Sequence, residues 1–310
     1  MSLRRCDQSG RRREPERRGK MSAPLRATTP EQVPSSSYGT ADDFRMEDFW
    51  YGITAFLGGS ANVVMQLSHA PVAYGVLEST VDSGKVMLHP IKRLRTTLTY
   101  LAVALMGTEE EREAYRQAVN TSHRTVRSDA QSPVKYNAFD PKLQLWVAAC
   151  LYFGILDLHE RLHGELDEAT ADALYAYSVK LGTGLQMRPE MWPADRAAFQ
   201  QYWDTELPQK KIDARTKAYF DDMIDLKMMP VPVQILGARF HRFVVTGLLP
   251  EHLRNEMGMT WSPIREHTLR LLLLVIGKVQ SKLPKAARLF PMNYYLWDFR
   301  KRLRSGRPLV

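Results

Sequence analysis

The longest uncharged stretch of the chain limits its fold more than any other feature. From Tyr51 to Leu77 the sequence contains no Asp, Glu, Lys or Arg, and a run of this length could cross a lipid bilayer as a helix. It also contains glycines, Ser, Asn, Gln, His69 and Pro71. This polar and helix-breaking content favours helices that are buried on all sides within a protein. We therefore predict a protein core and not a membrane span.

Helix signals follow one another along the rest of the chain, and no alternating strand pattern of useful length interrupts them. Prolines at first helical positions, the cap residues Thr108 and Asp140, and the stop at Gly107 mark helix ends. The predicted helices span residues 43–51, 59–79, 90–106, 109–128, 140–162, 167–184, 193–205, 212–227, 231–247, 249–257, 263–280, 284–290 and 292–303. The sequence thus predicts an all-α fold.

Composition separates the two ends of the chain from its middle. Residues 1–42 are rich in Arg, Pro, Ser and Thr and lack apolar periodicity, which is typical of a disordered tail. We assign residues 43–303 to a single large helical domain and residues 304–310 to a basic C-terminal tail. Met21 as well as Met1 is a candidate start of the protein.

The net charge of +9 comes largely from the N-terminal tail, because residues 1–26 hold nine basic and three acidic groups. No aromatic residue lies among these charges, so they do not indicate a nucleic-acid-binding surface. Cys6 and Cys150 are too few for a disulfide framework or a cysteine metal site. The N-terminus also has no apolar signal segment. We expect a cytoplasmic protein that does not bind nucleic acid.

A histidine lies on the inward face of an otherwise basic helix. Steps of three and four residues place on this face Tyr115, Val119, Ser122, His123 and Val126. The side chains that point mostly the other way are Arg112, Arg116, Gln117, Arg124 and Arg127. His123 is then either a core residue with a hydrogen-bond partner or a ligand of a metal ion or haem iron. The pattern alone leaves both readings open.

The preceding helix presents Arg93 and Thr97 on one face, four residues apart. An arginine that points inward needs a counter-charge, because burial of an unpaired charge is very costly. An ordinary salt bridge, a haem propionate or another bound anion would each provide it.

A second motif indicates different chemistry. Residues 159–163 read His-Glu-Arg-Leu-His, which matches H-E-x-x-H, a motif in which two histidines bind zinc and the glutamate activates water. Charged neighbours interrupt the helix, and Gly164 is expected to end it directly after the second histidine. A zinc hydrolase that uses His159, Glu160 and His163 is kept as an alternative.

Four segments, in the same order, resemble the catalytic-domain family of the rubber oxygenases (latex clearing proteins) and the mycophenolic-acid oxygenase, which includes many uncharacterised actinobacterial proteins. The segments are the run from Leu57 to Val76, Arg93-Leu-Arg-Thr-Thr97, the run from Val119 to Val126, and the run from Tyr136 to Val147. The resemblance covers roughly residues 45–260.

This resemblance implies a globin-like helical core that binds haem b without a covalent bond, with His123 as the proximal iron ligand. Arg93 and Thr97 would stand beside the haem on the opposite side and serve in catalysis. The family can place a distal lysine just before that threonine, but this chain has Thr96 there. Lysine ligation and rubber cleavage are therefore not carried over. His69, in the uncharged run, is a further candidate for the cofactor cavity.

The resulting expectation is a haem b-dependent oxygenase or oxidase that acts on an apolar small molecule, with O2 bound opposite the proximal histidine. A non-catalytic haem-binding or gas-sensing protein is an alternative on the same fold, beside the zinc hydrolase. An apolar run from Leu271 to Ile276 is surrounded by basic residues, and aromatic and basic residues follow between Tyr294 and Arg307. The basic residues around the run are Arg265, Arg270, Lys278, Lys282, Lys285 and Arg288. Together these segments leave open a weak peripheral contact with a membrane.

Overall fold

The uncharged run folds into two successive helices. A computed structural model describes residues 44–81 and 84–310, in which α1 (Met46–Phe49) is followed by α2 (Ile53–Leu67) and α3 (Ala70–Leu77). The sequence predicted one helix over residues 59–79, and this was wrong. The chain breaks at His69, whose backbone is extended, and Pro71 then lies in the first turn of α3, where its missing N–H is tolerated.

The remaining helices follow closely along the chain. They are α4 (Pro90–Met106), α5 (Glu109–His123), α6 (Pro141–His163), α7 (Glu168–Ser178), α8 (Lys180–Thr183), α9 (Arg196–Glu206), α10 (Ala214–Ile224), α11 (Val231–Leu248), α12 (Glu251–Glu256), α13 (Pro263–Ser281), α14 (Lys285–Leu289) and α15 (Met292–Arg304). Within residues 44–81 and 84–310 there is no β-strand, and an isolated antiparallel bridge joins Arg127 to Asn137. The all-α prediction is confirmed.

Helix ends follow the capping chemistry read from the sequence. Thr108 forms a capping box with Glu111 at the start of α5, and the Asp140 side chain accepts a hydrogen bond from the backbone of α6. Gly164 ends α6 with a φ of 95°, a left-handed conformation that favours glycine. The second histidine of the H-E-x-x-H motif is therefore the last residue of its helix, as predicted.

Helix α6 is the centre of the core and packs against α2, α8 and α13. Its Trp146 is fully buried and donates a hydrogen bond to the Met65 carbonyl at 3.2 Å. Asn62 of α2 donates to the Cys150 carbonyl at 2.6 Å, next to Gly154, where a larger side chain would collide with it. These contacts fix α2 against α6. Nowhere in the described part of the chain is a helix both long and apolar enough to cross a bilayer.

The two ends of the chain relate differently to this core. The tail predicted over residues 1–42 lies outside the described residues. At the other end, Leu309 and Val310 pack against the core, and Arg95 donates to the Leu309 carbonyl at 3.4 Å. The last two residues of the predicted basic tail are apolar, which explains why they do not extend into solvent.

Candidate functional site

A cavity of about 320 Å³ lies between α2, α3, α4, α5, α6 and α8, within the size range of small-molecule and cofactor sites. Its walls are mainly apolar. The apolar side chains that line it include Leu67, Pro71, Val72, Val76, Leu101, Val119, Val126, Leu143, Val147, Leu151, Leu181 and Leu185. The charged lining residues are Lys85, Lys92 and Arg93, and no lining residue is Asp or Glu. Such a cavity suits a largely apolar ligand that carries negative charge.

The inward face of α5 forms one wall of this cavity. All five predicted inward residues, from Tyr115 to Val126, line it, whereas Arg112 and Arg116 face a separate cleft. The helix nevertheless ends at His123, and not at residue 128 as predicted. Beyond it, the Val126 carbonyl accepts a hydrogen bond from Ala138, so this segment pairs with a later loop. The histidine therefore stands at the end of a helix and beside a loop that closes the cavity.

The His123 side chain has no hydrogen-bond partner in the described part of the chain, although its Nδ1 is completely buried. Its ring meets the Phe139 ring edge-on at 6.4 Å. Burial, and then the charge of Arg93, lower the pKa of His123 to about 4. The imidazole is therefore neutral at pH 7 and offers a lone pair to a metal ion. A buried nitrogen without a partner is costly, and a bound group that engages the ring would remove that cost.

The predicted face of α4 forms the neighbouring wall. Arg93, Thr97 and Tyr100 all line the cavity, and the Tyr115 hydroxyl ties α5 to α4 by donating to the Thr96 carbonyl at 2.8 Å. The expected counter-charge for Arg93 is not found: the residue is exposed and forms no ion pair with any residue that the structure describes. It needs none, because the guanidinium lies at the edge of the cavity and stays hydrated.

His69 is placed elsewhere than the sequence suggested. It is not among the side chains that line the cavity, although Leu67 and Pro71 on either side of it are. Its extended backbone between α2 and α3 directs the ring edge-on towards Trp146, with ring centroids 6.3 Å apart. Burial, and then the charge of Lys210, lower the pKa of His69 to about 4. His69 is therefore not a residue of the cavity wall.

The H-E-x-x-H motif lies in an aromatic part of the core. His159 stacks on Phe49 at 4.1 Å and His163 stacks on Tyr51 at 4.0 Å, with 5.0 Å between the two imidazole centroids. Burial is the main reason that the pKa falls to about 3 for His159 and about 4 for His163. Among residues 44–81 and 84–310, no three His, Cys, Asp or Glu side chains are grouped so that they could hold a metal ion. The stacking gives both rings a packing role.

Two polar networks that support the cavity were not predicted. In the first, Gln144 donates to Gln186 at 2.6 Å, and Gln186 donates to Asn120, one turn before His123, at 2.5 Å. The Gln186 backbone also donates to Gln144 at 2.6 Å. Gln144 is the one polar residue in the apolar run of α6, and this signal could have marked it as a buried hydrogen-bonding residue.

The second network holds the loop after α5. The hydroxyl of Tyr136, which lines the cavity, donates to Glu78 at 3.1 Å, and Arg215 pairs with the same carboxylate at 3.2 Å. Three distant parts of the chain meet here, and no local sequence pattern indicates that they do. The network holds Tyr136 in the cavity wall.

Comparison with known proteins gives an independent indication of what the chain is. Residues 48–278 match the family described as "ER-bound oxygenase mpaB/B'/Rubber oxygenase, catalytic domain". The chain is also 48% identical over 251 residues to Uncharacterized protein Rv2237 of Mycobacterium tuberculosis and to Uncharacterized protein Mb2261 of Mycobacterium bovis. Each alignment covers 81% of this chain and 98% of the relative. No solved structure matches.

Proposed function

Because the chain belongs to the mpaB and rubber oxygenase catalytic-domain family, we propose that it is a haem b-dependent oxygenase that acts on an apolar small molecule. One observation carries the cofactor assignment: the His123 imidazole is neutral, buried at Nδ1 and without a hydrogen-bond partner among the described residues, and it lines a cavity whose charged lining residues are all basic. Imidazole is the usual nitrogen ligand of haem iron.

The cavity residues fit the group chemically. The apolar walls would contact the porphyrin faces, and Lys92 and Arg93 would attract the propionate carboxylates. His123 would be the protein ligand of the iron. Arg93 lies close enough to lower the pKa of His123. The positive charge that would attract a propionate is therefore near the histidine that would bind the iron.

When bound, haem b supplies the iron at which O2 is activated. The protein residues would hold the substrate and exclude water. Thr97 offers a hydroxyl donor inside the cavity, whereas the Thr96 hydroxyl donates to the Arg93 carbonyl at 3.0 Å and is used within its own helix. The apolar lining selects an apolar substrate. The location predicted from the sequence, the cytoplasm with weak contact to a membrane, stays a prediction.

The test is a histidine replacement that imidazole can repair. Wild-type protein should show a Soret band and about one haem per chain. His123→Gly should lose most of its haem, since the ligand is gone, and added imidazole should restore the band by filling the space. Haem content by pyridine haemochrome and circular dichroism should be measured on the same samples.

His69→Gly is the matched control, because His69 is also a half-buried histidine with a lowered pKa but lies outside the cavity. This variant should keep its haem. Full haem occupancy in folded His123→Gly, or loss of haem in His69→Gly alone, would refute the ligand assignment. A haem-loaded wild type that consumes no O2 with any apolar substrate would instead favour a haem carrier or sensor.

A further inference from the structure

The outer face of α13 is an exposed apolar stripe. Spacings of seven, four and four residues place four aliphatic side chains on one face of the helix. Their exposed fractions are 79% for Ile264, 50% for Leu271, 60% for Val275 and 58% for Val279. The opposite face, which includes Leu269 and Leu273, is buried. Leu271, Val275 and Val279 form a continuous row, and Thr268 separates them from Ile264. Exposed aliphatic residues in such a row indicate an interaction surface.

The charges beside this stripe are all positive. Lys278 on α13 and its C-cap residue Lys282 are exposed beside the stripe, as is Arg265 next to Ile264, and none of the three forms an ion pair with any of the described residues. The one acidic residue of the helix, Glu266, does not pair with these cations. Its carboxylate accepts hydrogen bonds from Arg161 at 3.1 Å and from Trp261 at 2.7 Å. The outer face of α13 therefore combines apolar side chains with unpaired cations.

Two other exposed apolar surfaces lack this combination. The first half of α11 exposes Ile235 and Leu236, the latter to 84%, but Arg239 is the one basic residue beside them in that half of the helix. On α15 the basic residues are partly neutralised, since Arg300 pairs with Glu111 and Arg302 pairs with Asp298. Of the two segments that the sequence suggested for membrane contact, residues 265–288 and 294–307, the second is thus the weaker candidate.

We propose that the outer face of α13 lies flat on an anionic lipid surface. Its aliphatic side chains would enter the boundary between headgroups and acyl chains, and Arg265, Lys278 and Lys282 would contact anionic headgroups. Charge disfavours the main alternative, a second copy of the chain, because twofold pairing of this face would bring like charges together. A nucleic acid would leave the aliphatic stripe unburied. This inference does not depend on haem binding.

The experiment is sedimentation of the full chain with vesicles of phosphatidylcholine, with and without about one third phosphatidylglycerol. We expect binding to the anionic vesicles that weakens at high salt, and little binding to the neutral ones. Replacement of both Lys278 and Lys282 by Gln should weaken partitioning by about fivefold for each charge removed. Val275→Glu should also reduce it strongly, because it places a carboxylate in the centre of the apolar stripe.

Leu236→Glu is the matched control, since it changes an even more exposed aliphatic residue on α11. It should bind the vesicles as wild type does, and all variants should keep their helical circular dichroism spectra because the changed side chains are exposed. Unchanged binding of Val275→Glu, or equal loss in Leu236→Glu, would overturn the assignment to α13. Lipid-free dimers that Val275→Glu dissociates would overturn it in favour of a second copy.

Discussion

At the scale of single residues, buried neutral histidines link the stability of this protein to pH. The pKa of His159 is lowered to about 3 and that of His163 to about 4, in both cases mainly by burial. The unfolded chain takes up these protons near pH 6.5, whereas the folded chain does not until the pH is much lower. The free energy of unfolding should therefore be highest above pH 6.5 and should fall as the pH falls towards 4.

His163→Phe tests this linkage, because it keeps an aromatic ring against Tyr51 but removes one titrating group. Urea unfolding of the haem-free protein at several pH values should show a shallower loss of stability in the variant. The slope of the free energy of unfolding against pH should differ between the two proteins by an amount that approaches about one proton per chain between pH 4 and 6.5. An identical slope in both proteins would mean that His163 is protonated in the folded state.

At the scale of elements, two glycines should respond to alanine in opposite directions. In Gly277 of α13 an added Cβ would overlap the backbone carbonyl oxygen of Leu162 in α6, which cannot rotate away. Gly277→Ala should therefore destabilise the packing of these helices by about 1–3 kcal/mol. Gly59 of α2 has nothing within 4 Å of such a Cβ, so Gly59→Ala should stabilise by about 0.5–1 kcal/mol. Denaturant midpoints measure both, and a stabilised Gly277→Ala would contradict this description of the α6–α13 contact.

The sequence predicted elements well where their ends depend on local chemistry. Helix α4 has the predicted bounds, residues 90–106, because Pro90 and Gly107 mark its two ends. The prediction failed in the uncharged run, where apolar residues continue through the break at His69 and hide it. It also extended α5 too far, since residues 124–128 carry no helix stop and leave the helix to pair with residues 136–138. That pairing is a tertiary effect that no local pattern reports.

At the scale of the whole molecule, the cavity joins parts of the chain that are far apart in sequence. Periodicity identified the cavity-lining faces of α4 and α5 separately, and the family resemblance brought them together. The roles of Tyr136 and Gln186 could not be predicted, because each depends on partners about 40 or more residues away. The placement of Val310 in the cavity wall is of the same kind. Residue types and faces are local properties, whereas a cavity is a property of the assembled fold.

Removal of residues 1–42 tests whether the described helices are sufficient for a stable fold that retains haem. This segment contains few large apolar residues, so it has little surface to bury and should contribute little to stability. The shortened chain should keep its thermal midpoint within about 2 °C, which corresponds to about 1 kcal/mol for a chain of this size. It should also keep its haem content. Binding to anionic vesicles should weaken, since nine basic groups lie within residues 1–26, but it should remain sensitive to Val275→Glu. A clear fall in the thermal midpoint would show that the N-terminal segment packs against the helical core.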